Sequence, residues 1–331
     1  MEYAAPRWLP GGNLQTIWPA LFGRRADLPL PAYRRERWNT PDGDFIDVDF
    51  LDAPRVEPKP LLVLFHGLEG SSRSHYAEAF GACAARRGWD YAVPHFRGCS
   101  GEINLAPRAY HSGDYEEAGW ILQHLRERQD ASAAPGGPAP AIFAVGISLG
   151  GNVLMRWVEE AGGMAAKVVR AAASVCAPLD LAAGGAAIGQ GFNRLVYTRM
   201  FLSTMRPKAL AKLAQHPGLF DRDRLLAARD LHAFDDIFTA PLHGFRDADD
   251  YWRRCSAKPL LHHVRVPTLV VNARNDPFVP AASLPRPQDV GSYVTLWQPA
   301  HGGHVGFPVG LPPGHVQAMP ERVGQWLAEH G

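Results

Sequence analysis

Five residues of this 331-residue chain, Gly146-Ile147-Ser148-Leu149-Gly150, follow the pattern G-x-S-x-G. Glycine and serine are common, so the setting matters more than the pattern. An apolar strand-like run, Ala141–Val145 (AIFAV), precedes it, and a helix-like run, Leu149–Glu160, follows. A sharp turn there, flanked by glycines, would lift the Ser148 hydroxyl clear of its neighbours, as a nucleophile elbow requires. The helix opening at Leu149 would aim its positive N-terminal end at the same spot. An ordinary strand-to-helix turn with a capping serine is the plainer alternative.

A serine hydroxyl attacks a carbonyl only if a base takes its proton, and a histidine oriented by a carboxylate is the usual base. The expected chain order is Ser, then Asp or Glu, then His. Asp276 follows the strand-like Thr268–Val271, in a loop on the same sheet edge as Ser148. Asp180, past the run Val168–Cys176, is the competing acid. After Tyr293–Trp297 comes His301-Gly302-Gly303-His304, where His304 is the preferred base and His301 its rival. As an H-x-x-H pair these two could suggest metal, but no Cys or acidic partner is spaced to complete a four-ligand site. No cofactor is expected. Tetrahedral intermediates also need two N–H donors. Leu149 supplies one by position, and Leu68, in His66-Gly67-Leu68-Glu69-Gly70 after Leu61–Phe65, is expected to supply the other.

The elements that must position these residues are legible as short apolar runs separated by helix-like segments. Runs at 61–65, 91–96, 141–145, 168–176, 268–271 and 293–297 alternate with helical patterns at 77–87, 115–129 and 149–160. That rhythm predicts an α/β fold, a mostly parallel sheet with helices on both faces. Phe45–Leu51 alternates apolar and polar and reads as an antiparallel edge strand. From about Leu179 to His262 the rhythm stops. Phe192, Leu195, Val196 and Met200 there fall at helical spacing. The expected division is a core of residues 1–178 and 263–331 with a helical cap of 179–262 over the ligand-binding sheet edge. Phe192 and Met200 are the candidate acyl-pocket residues.

Composition fits an ordinary soluble globular protein able to bury a large core: 46% hydrophobic, 20% charged, formal net charge +1. So small a charge gives no electrostatic reason to expect nucleic acid or an anionic membrane as a partner. Four scattered cysteines without a CxxC pair argue against zinc ribbons and disulfides and for a reducing, cytoplasmic setting. Cys99, just past a strand end, is expected to border the pocket and not to act as nucleophile. The N-terminus lacks the basic and apolar regions of a secretory signal. The longest nearly apolar stretch, 141–158, contains Ser148, Asn152 and Arg156 and is not expected to span a membrane.

With those pieces in place the chain resembles the YheT-like branch of the α/β-hydrolase superfamily. The resemblance rests on Gly12–Ile17 (GNLQTI), His66–Ser71 (HGLEGS), Phe96–Glu102 (FRGCSGE), Tyr110–Gly113, Gly146–Asn152, Phe245–Ser256, Asn275–Phe278 and His301–Phe307 (HGGHVGF). It departs at Asn13, where many relatives carry histidine. The resemblance implies a triad of Ser148, Asp276 and His304 acting on esters of short to medium acyl length. An acyltransferase using an alcohol as acceptor, or a non-catalytic ligand-binding member of the fold, are the rival expectations.

Overall fold

The computed structural model describes residues 2–27, 32–52, 59–133 and 137–330. Among these residues, eight strands form one sheet in the order β1-β2-β4-β3-β5-β6-β7-β8. They are β1 (Arg34–Asn39), β2 (Phe45–Leu51), β3 (Leu61–Phe65), β4 (Asp90–Pro94), β5 (Ile142–Ile147), β6 (Ala171–Val175), β7 (Thr268–Val271) and β8 (Val294–Trp297). The pairs β1·β2 and β2·β4 are antiparallel and all others parallel. Strands β3 and β5 to β7 are buried throughout, which is why they read as unbroken apolar runs and not as alternating ones. Helices α2 (His75–Arg86), α3 (Tyr115–Ala131) and α4 (Leu149–Ala161) follow β3, β4 and β5. One sheet face packs on α3 and α4 through residues such as Ile121, Leu125 and Val153. The other packs on α2 and the C-terminal helix Ala318–His330 through Phe80, Val323 and Leu327.

The sequence reading placed Phe45–Leu51 at the sheet edge, and the structure corrects this. Strand β1 is the edge, and β2 lies inside it with every residue buried. Strand β1 (RRERWN) was missed because only Trp38 turns inward. Its arginines stand directly opposite the acids of β2, Arg35 against Asp49 and Arg37 against Asp47. Their guanidinium groups approach those carboxylates to 2.6 and 2.7 Å. Cross-strand charge pairs thus replace apolar alternation, and charged side chains also protect an open sheet edge.

Between β6 and β7 the chain forms only helices and turns. The main ones are Leu181–Ile188, Arg199–Gln215 and Ala248–Cys255, with π-helical turns at Arg194–Thr198 and Asp235–Thr239. Arg199–Gln215 and Asp235–Thr239 share a small apolar core of Leu202, Leu225, Phe234 and Phe238, while Leu181, Tyr251, Trp252 and Cys255 form a second cluster.

Candidate active site

Strand β5 ends at Ile147 and α4 begins at Leu149, leaving Ser148 alone in the turn with φ 52° and ψ −118°. A side-chain-bearing residue rarely adopts that conformation, and such strain clusters at functional sites. The turn is so tight that a Cβ on Gly150 would stand 2.4 Å from the carbonyl oxygens of Phe65 and His66. Only glycine lets the start of α4 press against the end of β3. Two residues further, Asn152 is fully buried. Its amide donates to the carbonyls of Ser112 and Cys255 at 2.7 and 2.8 Å and accepts from the Ala257 N–H. The helix carrying the serine is thereby tied to the helical segment above it.

Ser148 Oγ lies 3.0 Å from His304 Nε2, and His304 Nδ1 lies 2.8 Å from Asp276 Oδ2. The neutral ring with its proton on Nδ1 satisfies both contacts, donating to Asp276 and accepting from the Ser148 hydroxyl. Asp276 Oδ1 in turn accepts the Phe278 N–H at 2.8 Å and the Val279 N–H at 3.3 Å. The rivals stand elsewhere. Asp180 caps the helix Leu181–Ile188 by accepting the Ala183 N–H. His301 is exposed beside Asn275.

The loop that carries His304 is held by α1 (Gly12–Phe22), from the far end of the chain. The Gly302 N–H donates to Gln15 Oε1 and the His304 N–H to Thr16 Oγ1, at 3.0 and 2.8 Å. Contact is close enough that a Cβ on Gly306 would fall 1.8 Å from the Gln15 carbonyl oxygen. Behind the pair, the Val305 N–H donates to the sulfur of buried Cys176 at 3.3 Å. Among the described residues, Cys176, Asp276 and His304 are the one His/Cys/Asp/Glu grouping compact enough to ligate a metal. Both ring nitrogens of His304 are already engaged in that arrangement.

Leu68 and Leu149 both border the cavity into which Ser148 opens. His66, just before this loop, is fully buried. Burial, with some help from neighbouring His95, pushes its pKa down to about 3. The neutral ring accepts the Phe96 N–H on Nε2 and faces the Gly67 carbonyl with Nδ1. Glu69 has φ 57°. Its N–H donates to the Tyr110 hydroxyl, which donates back to its carboxylate, both at 2.9 Å.

The cavity holds about 150 Å³ and runs from Ser148 under the helical segment. Its apolar lining includes Leu181, Ile188, Phe201, Met205 and Phe238. Phe192 and Met200, expected there, are absent from the lining, and each is 51% exposed. The π-helical turn Arg194–Thr198 interrupts the regular helical spacing from which their orientation was read. Downstream, Phe201, Met205, Lys208, Ala209 and Lys212 share the inward face. Cys99 also lies outside the lining. Its sulfur sits 3.6 Å from Lys208 Nζ, and burial pushes the thiol up to about 11.

A family model described as alpha/beta hydrolase fold matches residues 60–311. YheT of Escherichia coli (strain K12), whose name carries a provisional esterase assignment, is 40% identical over 99% of this chain and 94% of its own. The chain belongs to the YheT branch of the α/β-hydrolase family. Phospholipase ABHD3 of Mus musculus is 28% identical over 92% of this chain and 74% of that protein. Among solved structures, the Pyrococcus furiosus esterase Pf2001 superposes with a TM-score of 0.55 at 17% identity, covering 93% of this chain and 98% of that one, a likeness of fold. This α/β hydrolase is of the esterase or lipase type, and none of its helices is long and apolar enough to cross a membrane among the described residues.

Several residues that build this hydrolase site escaped the sequence reading. Gln15 and Thr16 were seen only as part of a family motif, and Asn152 and Cys176 only as neighbours of larger features. Adjacent polar residues in an otherwise apolar helix start were the available signal for the first two. Nothing local distinguishes Cys176, whose role depends on β6 ending beside the loops after β7 and β8.

Proposed function

We propose that this protein hydrolyses carboxylic esters through Ser148, His304 and Asp276, with residues 179–262 serving as a cap that shapes an acyl pocket for short to medium chains. The observation that carries the reading is the unbroken relay from Asp276 through His304 to a strained serine that lines a largely apolar cavity. Ser148 Oγ attacks the ester carbonyl while His304 Nε2 takes its proton. Asp276 holds the ring in the required tautomer and stabilises the imidazolium. The N–H groups of Leu68 and Leu149 hold the oxyanion. As the intermediate collapses, His304 gives its proton to the leaving alcohol. Water then enters and is deprotonated by His304, which passes that proton to Ser148 Oγ as the acid is released. Each proton has a donor and an acceptor among these residues, so the cycle closes without a cofactor.

The test is a chain-length panel of activated esters with wild type and Ser148→Ala. Turnover falls by about 10⁴–10⁶-fold in the variant. A fluorophosphonate labels wild type once, at Ser148. Near-normal turnover with labelling retained in Ser148→Ala would overturn the assignment.

A further inference from the structure

The residues that fail to line the cavity form a surface of their own. Phe192, Leu195 and Met200 are 51, 61 and 51% exposed on the outer side of the cap. Leu14, Leu21 and Phe22 of α1 are 47, 64 and 55% exposed. The two elements meet: Tyr197 Oη donates to Asn13 Oδ1 at 2.8 Å, and Ile17 packs into one cluster with Ile188, Val196 and Phe201. Trp18 stacks edge-on with Trp8 and tilts against Phe22, while each indole N–H donates to a backbone carbonyl. That is the amphipathic posture tryptophan takes at a lipid–water boundary.

Charge says what covers this surface. Residues 3–26 and 181–220, which contain both elements, hold eight lysines and arginines and no aspartate or glutamate. The whole chain is almost balanced, at 34 basic to 33 acidic residues, so the asymmetry is local. Arg7, Arg24, Arg194 and Arg199 are exposed and form no ion pair among the described residues. Large apolar side chains interleaved with unpaired arginines suit an anionic lipid surface, with the apolar groups entering the acyl boundary and the cations meeting phosphate. A protein partner or a second copy of this chain would need carboxylates to answer those arginines, and these two segments contain none.

We propose that α1 and the outer face of the cap dock this protein on an anionic bilayer. The helix Arg199–Gln215 begins beside this surface with Met200 and turns Phe201 and Met205 into the cavity, so docking sets the cavity wall at the lipid boundary. Docking is independent of catalysis. Use of a bilayer ester as substrate rests on the hydrolase reading.

The experiment is vesicle co-sedimentation of the full chain carrying Ser148→Ala. The vesicles are pure phosphatidylcholine, or phosphatidylcholine with about one third phosphatidylglycerol. The expected result is binding to the anionic vesicles at least tenfold tighter than to the neutral ones, weakening as salt rises. Leu195→Ser with Met200→Ser, and separately Arg194→Glu with Arg199→Glu, each cut that binding at least tenfold at unchanged melting temperature. A second apolar pair, Leu21→Ser with Phe22→Ser, tests α1 if the cap variants unfold. Binding equal on both vesicle types, binding untouched by all three pairs, or a dimer in sedimentation velocity that these changes dissolve would each overturn the proposal. The hydrolase reading fails separately, through the Ser148 labelling test.

Discussion

Lys208 Nζ lies 2.9 Å from a Glu69 carboxylate oxygen, so one ion pair joins the helical segment between β6 and β7 to the loop proposed to hold the oxyanion. Glu69 is the more enclosed partner, with its side chain 10% exposed against 33% for Lys208. It also follows Leu68 directly and has a left-handed backbone conformation. The position of that helical segment and the geometry of the loop are therefore mechanically linked.

Lys208→Met leaves Glu69 without its counter-charge, and the loop shifts. Removing an oxyanion donor outright costs about 10²–10³-fold in kcat, so displacing one is expected to cost roughly tenfold. KM for a small neutral ester changes little. Adding Glu69→Gln restores much of the loss, a coupling that a double-mutant cycle reads directly. Strictly additive effects would show that the pair does not position the loop.

His304→Ala and Asp276→Asn are both severe, with Asp276→Asn losing on the order of 10⁴-fold in kcat because the wrong tautomer is favoured. His301→Ala and Asp180→Asn retain activity within about threefold, as expected for positions outside the relay. Asp180→Ala removes a helix cap, and its effect of about 1 kcal/mol appears in thermal unfolding, not in turnover. Steady-state kinetics alongside melting curves separate the two pairs.

Acyl-chain preference is read at Phe201 and Met205. Each methylene buried in the cavity contributes about 0.8 kcal/mol, or roughly fourfold in kcat/KM. Phe201→Ala and Met205→Ala move the optimum to longer chains and leave a two-carbon ester nearly unaffected. The same changes at Phe192 and Met200 leave the optimum in place. A flat profile in wild type would remove the acyl-pocket reading.

Acid sensitivity starts early. Burial pushes His66 down to about 3, while the unfolded chain protonates its histidines near the ordinary value of 6.5. Below that value the unfolded state binds a proton that the folded state refuses. Stability from this group is complete above pH 6.5 and is lost as pH falls from there toward 3. Each pH unit in the window removes at most about 1.4 kcal/mol. Melting temperature against pH is therefore steeper between 6.5 and 4.5 in wild type than in His66→Gln, whatever their absolute stabilities. Equal slopes would show that His66 does not titrate on unfolding.

The parallel strands were legible because a strand covered on both faces must be apolar throughout, as Leu61–Phe65 and Thr268–Val271 are. The elbow was legible because its glycines answer a local steric demand. Strand β1 was not, since its arginines answer a pair of carboxylates on β2 and only Trp38 turns to the core. Phe192 and Met200 misled for a different reason: apolar type marks a residue that could be buried, while helix phase decides whether it is. A π-helical turn between them is set by packing that no short window contains.

The contact between Thr16 and His304 spans 288 positions of sequence. During synthesis α1 emerges first and waits for nearly the whole chain before its partner loop appears. Sheet, elbow and helical segment can all be in place while His304 still has no fixed seat. Esterase activity should thus appear as the final event of maturation, after compactness and native helix content. For the same reason, joining the two ends and opening the chain at a distant surface loop would let α1 and the His304 loop be made consecutively, with the site assembling from one continuous segment.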